Sequence, residues 1–163
     1  MARIELAEIS ADIPEGWNVQ GMLTLTLPSD DPSVKPNVII TKEYLQGDIE
    51  LNNYFGRIKD SILKRGIKDL KVSDEKDIVI SGVRGKMMVC SWDVSAMAEM
   101  LKKQQPEKPA PKIEEGQIVK QIQVTLLKER LAINMTASFP ETKFKEYYKP
   151  FQEFLKNLKS KLC

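Results

Sequence analysis

Histidine is missing from this sequence of 163 residues. Without it there is no Ser-His-Asp triad, no Cys-His dyad and no His-bearing zinc site. Cysteine is almost as scarce. Cys90 lies in a strand-like apolar run and Cys163 is the final residue. Two thiols so far apart have no metal-ligand spacing. They read as a reduced, buried thiol and a free terminal one. Long apolar runs are lacking too, since no stretch approaches the ~18 uncharged residues of a membrane-crossing helix. Charges interrupt the first nine residues, so no apolar core of a secretory signal is read there. These absences set a cytoplasmic expectation, with no direct membrane insertion. Nor is there a surplus of one charge: 25 Lys+Arg stand against 23 Asp+Glu, a net +2. That balance gives no electrostatic reason to expect nucleic acid or an anionic membrane as the main partner.

What remains is an ordinary globular composition, 42% hydrophobic and 29% charged. Such a chain buries a core, and its length suits one domain, 1–163. The carboxylates are scattered among lysines, with no pair in an apolar setting that would raise a pKa. No nucleophile, base or metal set is in view, so the expectation is a non-enzyme without cofactor or metal. The run Gly82-x-x-Gly85-Lys86 falls short of phosphate-loop spacing and reads as a turn entering a strand.

Periodicity supplies the elements. Ala2–Ile13 alternates loosely and reads as a first strand, followed by a turn at Pro14-Glu15-Gly16-Trp17. Met22–Leu27 alternates strictly, with Leu23, Leu25 and Leu27 on one side and Met22, Thr24 and Thr26 on the other. Beyond a polar loop with three prolines, Asn37–Glu43 is a strand with Val38 and Ile40 facing one way and Asn37, Ile39 and Thr41 the other. Leu51, Tyr54, Phe55, Ile58 and Ile62 form one apolar helical stripe, closed near Gly66. Asp77–Ser81 and Val83–Trp92 are two strands joined near Gly82. Met97–Gln105 reads as a short helical extension, and about 105–116 as a proline-rich loop insertion. Gln117–Leu127 and Leu131–Ser138 make a hairpin. A last stripe, Phe144, Tyr147, Phe151, Leu155 and Leu158, reads as a turn followed by a fresh helix starting at Pro150. The fold class is therefore α/β (α+β): an antiparallel sheet covered by helices, both expected on one face.

One face of the strands has an unusual composition. Thr24, Thr26, Asn37, Thr41, Gln121, Gln123, Thr125, Asn134, Thr136 and Ser138 all point away from the apolar side. Nearly all are uncharged hydrogen-bonding groups, whereas Lys and Glu abound elsewhere. Met22, Ile39 and Val119 add apolar patches. Such a face suits a ligand that is apolar overall but needs polar contacts, such as a membrane-type helix rich in small residues. The same residue types also suit any solvent-facing strand.

The order of several short motifs resembles the DcrB-like family. They are Ile13-Pro14-x-Gly16-Trp17, Leu27-Pro28, Asn37-Val38-Ile39-Ile40-Thr41-Lys42-Glu43 and Gln46-Gly47-Asp48. Tyr54, the strand Gly82–Trp92, Gln121-x-Gln123 and Phe144…Tyr147…Phe151 continue the likeness. Within that family the chain looks most like the effector-associated chaperones of type VI secretion systems. The resemblance implies an α/β sandwich of the kind shared with PsbP. It also implies a homodimer that shields the N-terminal transmembrane helices of a PAAR or Rhs effector before loading on the spike. The family's client-binding surface would fall on Met22, Thr24, Asn37, Thr41, Ile58 and Gln121, beside Ile39 and Gln123 from the strand pattern. A small-ligand or regulatory protein-binding module on the same fold is the alternative. The Met97–Gly116 insertion departs from the family pattern.

Overall fold

In a computed structural model of the chain, the described residues are 2–6, 9–13, 21–30, 35–64, 70–94 and 117–159. The helical extension at Met97–Gln105, the insertion at 105–116, the Pro14–Trp17 turn, Gly66 and Cys163 lie outside them.

Strands β1 (Ala2–Leu6) and β2 (Ile9–Ile13) pair antiparallel as a sheet of their own. This corrects the reading of one strand over Ala2–Ile13. The pairing sets Ile4 opposite Ala11 and Leu6 opposite Ile9. The apolar positions change parity between Leu6 and Ile9, as a register that pairs even with odd positions requires.

The other six strands form one antiparallel sheet. They are β3 (Gly21–Thr26), β4 (Asn37–Tyr44), β5 (Lys71–Ile80), β6 (Val83–Asp93), β7 (Ile118–Lys128) and β8 (Leu131–Pro140). Their order across the sheet is β3-β4-β8-β7-β6-β5. Helix α1 (Leu51–Lys64) connects β4 to β5 across the sheet, and α2 (Phe144–Asn157) follows β8. The β5–β6 hairpin turns on Ser81 and Gly82, with φ of 49° and 75°. Two positive φ values in a two-residue loop are what a type I′ hairpin requires. Strand β5 begins at Lys71, six residues earlier than alternation indicates, because it is an exposed edge formed by pairing with β6 rather than by burial.

The helices lie on opposite faces, not on one. The larger core packs Phe151 and Leu155 of α2 against Val38, Ile122, Val124, Leu126, Met135, Ala137 and Phe139. Phe139 anchors it, with ring centroids of Phe144, Tyr147 and Phe151 at 6.3, 5.4 and 6.0 Å. On the other face, Phe55 and Ile62 of α1 pack against Met88, Cys90 and Trp92. The run Met87-Met88-Val89-Cys90 is buried throughout because β6 lies between the two cores. A strand covered on both sides loses its alternation. Helix α2 also starts earlier than expected. It runs through Pro150, which has no N–H to offer the Glu146 carbonyl. Both residues are exposed, so solvent can take the lost bond. The Ser81 hydroxyl donates to the Leu158 carbonyl and ties the end of α2 to the β5–β6 turn.

Candidate functional site

The register assembles the polar face into three rows that cross the strands. Met22, Thr41, Asn134 and Thr125 form the first. Thr24, Ile39, Thr136 and Gln123 form the second, and Thr26, Asn37, Ser138 and Gln121 the third. Period-two alternation puts every member of these rows on the α1 side of the sheet.

Helix α1 covers only the β6–β7 part of this face. Between its flank and the open part runs a groove of about 950 Å³. Ile39, Thr41, Gln121, Gln123, Asn134 and Thr136 make the floor. Tyr54, Arg57, Ile58, Ser61 and Ile62 make the helical wall, and Glu43 to Ile49 close one end. Of the residues singled out from sequence, Ile39, Thr41, Ile58, Gln121 and Gln123 thus meet in one groove. Met22, Thr24 and Asn37 share its face but lie outside it, towards the β3 edge. Met22 is 68% exposed. Ile58 is both a wall residue and a neighbour of the smaller core.

Two hydrogen-bonded chains hold the floor. In one, Thr136 Oγ1 donates to Gln123 Oε1 at 2.8 Å and Gln123 Nε2 donates to Gln121 Oε1 at 2.6 Å. Gln121 Nε2 then donates to Ser138 Oγ at 3.0 Å. In the other, Thr125 Oγ1 donates to Asn134 Oδ1 and Asn134 Nδ2 to the Tyr54 hydroxyl, each at 2.8 Å. The Tyr54 hydroxyl donates in turn to Glu43 Oε2 at 2.7 Å. Each amide is thereby fixed in orientation, and each glutamine keeps one N–H with no acceptor among the described residues. Asn37 Nδ2 reaches the Lys35 carbonyl at 3.2 Å, while its Oδ1 is buried without a partner among the described residues.

Burial pushes the Tyr54 hydroxyl up to about 12, with Asn134 opposing and the Glu43 carboxylate adding to the rise. It also pushes the Cys90 thiol up to about 11. Near neutrality both keep their protons, so Tyr54 is a donor to Glu43 and Cys90 is no thiolate. Among the described residues no three His, Cys, Asp or Glu side chains gather as a metal site, and no helix is long and apolar enough to cross a membrane. The groove offers oriented amides and hydroxyls on its floor, Ile39 and Ile58 as apolar surface, and Arg57, Glu43 and Asp48 as charged groups at its margin.

Tyr54 and Glu43 were not singled out from sequence as part of this site. Tyr54 reads as a core residue of the α1 stripe. The available signal was its hydroxyl, since a buried tyrosine usually finds a partner for that group.

The fold has solved counterparts. The chain is similar to the protein of unknown function PA94 from Pseudomonas aeruginosa, suggested to be a regulator. The TM-score is 0.71 at 18% identity, over 99% of this chain and 97% of that one. It also aligns with the cyanobacterial PsbP protein, CyanoP, from Synechocystis sp. PCC 6803, with a TM-score of 0.47 at 8% identity over 81% and 77% of the two chains. No family model matches the chain, and no curated protein does.

Proposed function

We propose that the groove holds an apolar α-helix of another protein and that the chain is a cytoplasmic chaperone or adaptor on a PsbP-like sandwich. The clients that fit the resemblance are the N-terminal transmembrane helices of a type VI secretion effector of the PAAR or Rhs kind, shielded by a homodimer. One observation carries this reading: an open groove with a floor of uncharged, hydrogen-bonded amides and hydroxyls, in which Ile39 on the floor and Ile58 on the wall supply apolar surface. Ile39 and Ile58 remove apolar client surface from water, at about 25 cal/mol per Å². The spare glutamine N–H groups meet carbonyls or hydroxyls of a helix rich in Gly, Ala and Ser, where an unmet polar group would be costly. Because the floor is polar, its free state tolerates water, and release needs no exposure of a continuous apolar trough.

The test is co-expression with the N-terminal apolar segment of a PAAR effector from the source organism, followed by affinity capture. A soluble complex, with the segment insoluble alone, is expected. Gln121→Ala and Ile39→Asp should each weaken capture about tenfold, or about 1.4 kcal/mol. Capture unchanged in both variants sinks the groove assignment. The second reading is a small-ligand or regulatory module, in keeping with the regulatory role suggested for PA94. A small molecule retained through purification and lost in Gln121→Ala would favour it.

A further inference from the structure

Three ties hold the closed end of the groove. The Leu45 N–H donates to the Arg130 carbonyl at 2.8 Å, Arg130 Nε donates to Asp48 Oδ1 at 2.7 Å, and the Tyr54 hydroxyl donates to Glu43 Oε2. Among the residues that line the groove, three carry charge: Glu43, Asp48 and Arg57. Asp48 is paired with Arg130. Glu43 meets no cation among the described residues. It accepts one bond there, from a neutral hydroxyl, where an ionised carboxylate has room for about four. The strand end that bears it is exposed, because β3 pairs with β4 only as far as Lys42.

We infer that Glu43 receives a lysine or arginine at the end of the client's apolar helix. This rests on the helix-binding reading and adds a charge to what the client must bring. An apolar helix laid along the groove displaces water from the closed end. A carboxylate that loses water and gains no partner is costly, whereas one that gains a cation makes a charge-assisted hydrogen bond. Helices of the membrane type are flanked by Lys and Arg, so the complementary group lies where the groove ends.

Two neighbours sharpen the site. Tyr54 orients the carboxylate before the client arrives, so less freedom is lost on binding. Arg57 stands three residues beyond Tyr54 on α1, about 4.5 Å further along the wall, and repels a cation placed there. A client cation is thus favoured at the closed end and disfavoured one turn further in, which sets the register of the helix. Glu43 also turns away a helix with an acidic end. Its part is to select among apolar helices rather than to supply general affinity.

The test presents the full-length chain with an apolar helix of about 20 Leu, Ala, Ser and Gly residues, fused to a soluble carrier protein. Its free end carries lysines, glutamines or glutamates. Affinity capture at low salt is expected to favour the lysine end over the glutamine end about fivefold, with the glutamate end weakest. High salt should shrink that preference. Glu43→Gln keeps an acceptor for Tyr54 and should bring the lysine and glutamine ends to parity. Glu43→Lys should reverse the order, so that the glutamate end is captured best. Asp74→Asn on the β5 edge makes the same change of net charge as Glu43→Gln and should leave the preference as it is. Equal capture of the lysine and glutamine ends by the wild type overturns the inference and leaves helix binding standing. A preference that survives in Glu43→Gln does the same. Capture of none of the three removes the helix-binding reading and this inference with it.

Discussion

Tyr54 joins three things at one atom: burial, an amide from the sheet and a carboxylate. Its hydroxyl accepts from Asn134 and donates to Glu43, which fixes α1 to the middle of the sheet. An acid held protonated by the fold, with its value raised from 10.0 to about 12, keeps its proton after the unfolded chain has lost it. The folded state then binds more protons, so stability is present below pH 10 and is lost as pH rises towards 12. Cys90, raised from 9.0 to about 11, adds a loss of the same sign. Tyr54→Phe removes the first contribution and strands an Asn134 donor. We expect a loss of about 1 kcal/mol near neutrality and a shallower fall in urea midpoint between about pH 10 and about pH 12. An alkaline slope equal to that of the wild type would show that the hydroxyl is not held in this way. Residue identity alone did not reveal the role. Alternation fixed the facing of Gln121, Gln123 and Asn134, but which of them meets Tyr54 depends on where α1 lies.

At the scale of elements, legibility tracked burial. Strands β3, β4, β7 and β8 have one apolar and one polar side, so period two assigned their faces residue by residue. Strand β5 has no such contrast because solvent reaches most of its length. The first hairpin reads as one strand in the sequence because no Gly, Pro, Asn or Asp interrupts it between Leu6 and Ile9. The apolar stripes identified both helices, yet a stripe says only that a helix has a buried side, not which face of a sheet it meets. Pro150 reads as a helix start in the sequence because an interior proline is costly, and its exposed position moderates that cost. Among the described glycines, Gly85 alone lies hard against a neighbouring element. A Cβ there would press into the Thr125 carbonyl oxygen and come within 2.6 Å of Leu126 Cδ2. Backbone cannot step aside as a flexible side chain can. Gly85→Ala should destabilise the β6–β7 pair by about 1–3 kcal/mol, read as a lower urea midpoint with an unchanged slope. A midpoint equal to that of the wild type would mean that the two strands separate at little cost.

For the molecule as a whole, the sheet is a partition between unequal layers. Among the described residues, thirteen buried ones form the core on the α2 side, against five in the core on the α1 side. The smaller layer rests partly on amides and hydroxyls, which lose little when water reaches them. Lifting α1 therefore costs less than lifting α2. Amide protons in α1 should exchange with deuterium ahead of those in β7, β8 and α2, at a rate that responds to Tyr54→Phe. Equal protection of both helices would contradict this ranking. If it holds, the width of the groove is a variable, set by how often one helix detaches from a wettable surface, and occupancy would be read as a slowing of that breathing.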